Sequence, residues 1–145
     1  LSTPCKKIEN ADPKNIPEIL PDVLRTVRLI WNESAHYNTV DRIKSLLTKI
    51  SNQIIQRCRA KIKKEDMLDG DVEKCMSDLD ESIACCEQWT QALRQQSVYM
   101  NKNSKKSWKL EEKDTIFAEN EAFITRCKDL KEICEGQLQF ARKSK

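Results

Sequence analysis

The distribution of proline and glycine constrains this chain more than any other feature. All four prolines (Pro4, Pro13, Pro17 and Pro21) fall before residue 22, and the only glycines are Gly70 and Gly136. Hairpins, sandwiches and barrels draw repeatedly on both residue types for their turns, so an all-β fold is disfavoured. Charged residues make up 34% of the 145 positions and are interspersed with short apolar clusters, which points to long amphipathic helices. The apolar share of 39% suffices for one helical core at this length. No apolar run exceeds four residues, far short of a membrane span.

Apolar periodicity places about four helices. Residues 1–21 read as an irregular, proline-rich lead-in, with Ile16, Ile19 and Leu20 packing one turn against the body. Pro21 suits a helix start, where its missing N–H would have no partner anyway. The first helix then covers about 22–34, with Val23, Leu24, Val27, Ile30 and Trp31 on one face. Asn38 and Asp41 resemble a capping pair for a second helix over about 39–64. Its stripe of Val40, Ile43, Leu47, Ile50 and Ile54 is widened by Leu46, Ile55, Cys58 and Ile62, which implies more than one neighbour.

Residues 67–70 read as a break. A third helix over about 71–101 carries Val72, Met76, Leu79, Ile83, Cys86 and Leu93, with Trp89 beside the seam. After a polar loop, Trp108 and Leu110 anchor the connection and Asp114 caps a fourth helix over about 114–140. Phe117, Phe123, Cys127, Leu130, Cys134 and Leu138 mark its inner face, with Phe140 extending it. The three tryptophans should converge on the core. The expectation is an all-α antiparallel bundle over 22–141, followed by a short tail at 142–145.

The net charge is only +3, yet it is unevenly spread. Residues 39–64 hold eight basic groups against Asp41, whereas residues 65–100 hold nine acidic groups against Lys74 and Arg94. Opposite blocks on consecutive helices suit antiparallel packing with complementary rims, although exposed pairs contribute only about 0–1 kcal/mol each. The densest cluster, Arg57, Arg59, Lys61, Lys63 and Lys64, is the candidate partner surface. Local pairing and the negative end of the helix macrodipole offer a competing account. Neither nucleic acid nor membrane is implied as a partner.

Little in the chain suits catalysis. There is no Ser/His/Asp constellation and no Gly-rich phosphate loop, and His36 is the only histidine. The seven cysteines contain no C-x-x-C spacing, so no metal site or cofactor is expected and the thiols read as reduced. In the pair Cys85-Cys86, adjacent helical positions point about 100° apart, which places Cys86 in the core and Cys85 on its flank. The chain begins at Leu1 and so reads as processed or cut from something larger. That start and a formal acceptor sequence at Asn32-Glu33-Ser34 leave one alternative, a secreted four-helix-bundle ligand with disulfides.

Several stretches share one resemblance. Ile30-Trp31-Asn32-Glu33-Ser34-Ala35-His36-Tyr37-Asn38-Thr39 resembles the "IW..S.YYNT" pattern in the N-terminal tail of dynein heavy chains, particularly axonemal ones. His36 departs from it, since the family commonly has a second aromatic there. The stretch 46–55 resembles the "LL.KISN.II" helix, which contributes Leu47, Ile50 and Ile54. Cys86 and Trp89 fall in a stretch similar to the "C..W" helix. Phe117 follows, and Phe123, Arg126 and Leu130 lie in a stretch similar to "F..R...L". The resemblance spans most of residues 16–141.

That resemblance implies a non-catalytic piece of a very large motor subunit, located in cytoplasm, cytoskeleton and ciliary axoneme. Its ATPase ring and microtubule-binding stalk would lie far C-terminal. The tail would be a series of helical bundles, with the N-terminal prolines as a joint between two of them. Implied partners are other heavy-chain segments, dynein intermediate and light chains, and a second heavy chain.

Overall fold

The computed structural model describes residues 3–63, 70–103 and 108–143. It contains five helices among these residues: α1 (Thr3–Glu9), α2 (Ile16–Glu33), α3 (Val40–Lys61), α4 (Val72–Asn103) and α5 (Thr115–Lys143). The all-α expectation holds, and α2 to α5 form the antiparallel bundle. Cross-links fix the directions. Lys61 reaches Glu81 and Asp78, so the C-terminus of α3 meets the N-terminal part of α4. Lys131 pairs with Asp80 while Arg94 lies near Glu121, so α4 and α5 run antiparallel. Lys44 pairs with Asp114 and Ser51 with Asn120, which makes α3 and α5 parallel. Helix α4 touches α2, α3 and α5, while α1 rests on α2 and α3.

The lead-in is not irregular. Pro4 occupies the first turn of α1 and Pro17 the first turn of α2, where a missing N–H removes no intrahelical bond. Pro13 is buried in the turn between them. Pro21 does not start a helix; it sits inside α2 and deprives the Pro17 carbonyl of its partner. Ile8, Ile16 and Leu20 are buried in the main core, and that burial favours the helical segment despite the lost bond.

The helix ends also differ in detail. Thr39, rather than Asn38, caps α3, its hydroxyl accepting the Arg42 N–H at 3.4 Å. Asp71 accepts the Lys74 N–H at 3.0 Å and caps α4. Asp114 does not cap α5 with its side chain. Its carboxylate instead accepts the Glu111 N–H at 2.7 Å and the Lys44 ammonium at 3.2 Å. The expected break at 67–70 and the polar loop fall largely outside the described residues, as does Lys64.

The core runs the length of the bundle. Trp31, Trp89 and Trp108 are all buried, together with Ile43, Leu47, Ile50 and Ile54 from α3. On α4 the buried seam is Cys75, Leu79, Ser82, Cys86, Trp89, Leu93 and Gln96, whereas Val72, Met76 and Ile83 are half-buried. Two polar residues therefore occupy positions that a hydrophobic stripe passes over. Ser82 is small enough to let α3 approach, and Gln96 accepts a hydrogen bond from Arg28 of α2. Cys85 lies in the core beside Cys86, not on its flank. Phe140 is 71% exposed and does not extend the inner face of α5.

Candidate functional site

The basic C-terminal turns of α3 were the sequence's densest charge cluster, and much of that charge is used inside the fold. Arg57 Nε donates to the Ala11 carbonyl at 3.0 Å. Lys61 Nζ contacts Asp12 Oδ1 and Glu81 Oε2, both at 2.6 Å, and lies 3.8 Å from Asp78 Oδ1. One ammonium thus ties α3 to α4 and to the turn before α2. Burial opposes its charge, but hydrogen bonds to Asp12 and Glu81 outweigh burial and hold Lys61 above its ordinary value. Asp12 is correspondingly lowered, chiefly by the Lys61 hydrogen bond. Arg57 and Lys61 therefore do not form a free partner surface.

Arg59 points elsewhere, across to α5. Its guanidinium lies 5.4 Å from the Phe123 ring centroid, a cation–π contact. Lys63 is exposed beyond the end of α3. Of the four described cluster members, Arg59 and Lys63 remain available at the surface.

Beneath the cluster lie thiols. Cys58 of α3, Cys85 and Cys86 of α4 and Cys127 of α5 are all buried, and all seven cysteines are free. Cys85 and Cys86 are pushed up by hydrogen bonding to Cys58 and by burial, and burial pushes Cys127 up to about 12. These three stay protonated at neutral pH and pack as small hydrophobes. Among the described residues no cluster of Cys, His, Asp or Glu is placed to hold a metal ion. No helix there is long and apolar enough to cross a membrane.

Two furrows stand out on the surface of the described residues. The first, about 660 Å³, lies between α2 and α4 and is lined by Pro17, Leu20, Pro21, Leu24, Arg28 and a row of α4 glutamines. The second follows the α3–α5 seam. Its upper part, about 390 Å³, includes Asn52, Gln56, Glu119 and Ala122. Its lower part, about 320 Å³, is lined by Arg59, Ile62, Phe123, Arg126, Cys127 and Leu130.

The residues singled out by resemblance distribute unevenly. Trp31, Leu47, Ile50, Ile54, Cys86, Trp89, Phe117 and Phe123 are buried, while Tyr37, Asn38 and Leu130 are half-buried and Arg126 is exposed. Phe123, Arg126 and Leu130 meet in the α3–α5 furrow. Sequence reasoning missed the buried bond from Asn120 Nδ2 to Ser51 Oγ at 2.6 Å. The spacing held a signal, since both positions lie within the apolar stripes of their helices.

Comparison with known proteins agrees with the resemblance. Residues 1–145 match the family described as "Dynein heavy chain, N-terminal region 1". The chain is 40% identical over 141 residues to the Dynein-1-beta heavy chain, flagellar inner arm I1 complex, of Chlamydomonas reinhardtii. That alignment covers 97% of this chain and 3% of the algal protein. It is 24% identical over 147 residues to the ciliary Dynein beta chain of Tripneustes gratilla, covering 96% of this chain and 3% of that one. A shorter match, 34% over 58 residues, joins it to Dynein axonemal heavy chain 5 of Rattus norvegicus, covering 40% of this chain and 2% of that one. The chain belongs to the dynein heavy chain family, where it forms part of the non-catalytic N-terminal tail and not of the ATPase motor.

Proposed function

We propose that this bundle is a scaffold segment of an axonemal dynein tail. In this reading it supports heavy-chain association, helps to dock intermediate and light chains, and holds the motor to the axonemal doublet. The observation that carries it is the match to the heavy chain's N-terminal region along the whole of residues 1–145. The names of the relatives, flagellar, ciliary and axonemal, support the location. The fold suits such a role, because a continuous core fixes the shape and two furrows stay open to neighbours. A secreted ligand stapled by disulfides fits neither the family nor the seven free cysteines.

The test is replacement of this stretch, within the full-length heavy chain, by a helical bundle of the same length and unrelated surface. The expected result is a heavy chain that still hydrolyses ATP but loses associated subunits and axonemal attachment. Unchanged subunit composition and attachment would overturn the proposal.

A further inference from the structure

We propose that the lower part of the α3–α5 furrow docks an acidic amphipathic helix from a partner protein. This rests on reading the chain as an assembly segment and names the surface used. Arg59 on α3 and Arg126 on α5 stand on opposite banks, and Ile62, Phe123 and Leu130 line the space between them. No carboxylate lines this part of the furrow. Among the described residues neither arginine has an acidic partner, in contrast to Lys61, Lys44, Arg94 and Lys131, which all do.

The position of the charge selects the occupant. Two guanidiniums facing an apolar strip match a helix with an apolar stripe and a carboxylate on each flank. A guanidinium can take a carboxylate with two parallel hydrogen bonds, and Arg beside an aromatic ring is a common interface anchor. Beyond the lower part, Ile133 is 50% exposed and lies three residues past Leu130, extending apolar surface along α5. The upper part shares Arg59 and Arg126 with the lower part and adds Glu119, so an occupant's carboxylates are drawn to the two arginines and away from Glu119.

The experiment places a photo-crosslinking phenylalanine analogue at Ile133, the exposed position just past Leu130 at the lower part of the furrow, in the full-length heavy chain assembled in its dynein. Irradiation and mass spectrometry then identify the joined peptide. The expected peptide comes from another subunit and carries acidic residues on both flanks of an apolar helical stripe. Arg59→Glu with Arg126→Glu should lower its yield at least tenfold, and Arg126→Glu alone should lower it severalfold. Arg25→Glu, on an exposed pair in α2, should leave it unchanged. A crosslink to the same heavy chain, a partner peptide without acidic flanks, no crosslink, or a yield indifferent to Arg126→Glu would each overturn the proposal. Retention of the usual subunits in those cases would leave the scaffold reading standing, so the two failures are distinguishable.

Discussion

At the residue scale the least expected feature is the polar contact buried between α3 and α5. Asn120 donates through Nδ2 both to Ser51 Oγ at 2.6 Å and to its own helix's Ile116 carbonyl at 2.7 Å. A buried amide is tolerated only when it is hydrogen-bonded, so this pair fixes how the two parallel helices slide against each other. Asn120→Ala should therefore destabilise the fold by about 1–3 kcal/mol, since it opens a small cavity and leaves Ser51 without its donor. Ser51→Ala in the same background should add little. A double-mutant cycle in urea is expected to return a coupling of about 0.5–3 kcal/mol. Strict additivity of the two substitutions would show that the contact does not contribute.

At the element scale α2 carries its own defect. Pro21 lies inside the helix, removes one backbone hydrogen bond and crowds the carbonyl of Pro17. Pro21→Ala restores the bond, and the expected gain is about 1–3 kcal/mol, read as a rise in the midpoint of thermal unfolding. A lower midpoint would mean that the proline ring, which lines the α2–α4 furrow, contributes more by packing than it removes. Pro21 also marks where reading the sequence stops working. The apolar spacing of α3 made that helix plain, because Ile43, Leu47, Ile50 and Ile54 are buried at the intervals a single face requires. The start of α2 was hidden, since proline argues locally for a boundary while the burial of Ile16 and Leu20 argues for helix. Tertiary contacts decide such conflicts. Ser82 and Gln96 were hidden likewise, as only a neighbour's position turns a polar side chain inward. The α3–α5 furrow was half legible: Arg59 stands in a basic cluster and Arg126 in a family pattern, but their juxtaposition depends on two helices that share no sequence proximity.

At the scale of the molecule, charge pairing joins distant parts of the chain. Asp12 is lowered mainly by its hydrogen bond from Lys61. For Asp114, burial pushes upward, but the Glu111 N–H and Lys44 outweigh it and leave that carboxyl lowered too. A carboxyl depressed in the folded state adds stability that is fully present above its unfolded pKa, about 4. That contribution disappears as pH falls through the lower folded value. The urea midpoint should accordingly hold between about pH 7 and 5 and drop below about pH 4. Lys61→Met should lower the midpoint at pH 7 and shrink the acid-induced drop. A drop of undiminished size would place the acid sensitivity elsewhere.

The antiparallel pair α4 and α5 has a mechanical consequence. Helix α4 has 32 residues and is about 48 Å long, and it is fastened to α5 near one end by Lys131–Asp80 and toward the other by Arg94 with Glu121. Tension applied along this axis loads every contact of the seam at once, in shear. Tension applied across it would peel the contacts apart one after another. The bundle is therefore stiff in one direction and weak in the other, so the bearing of a load matters as much as its size.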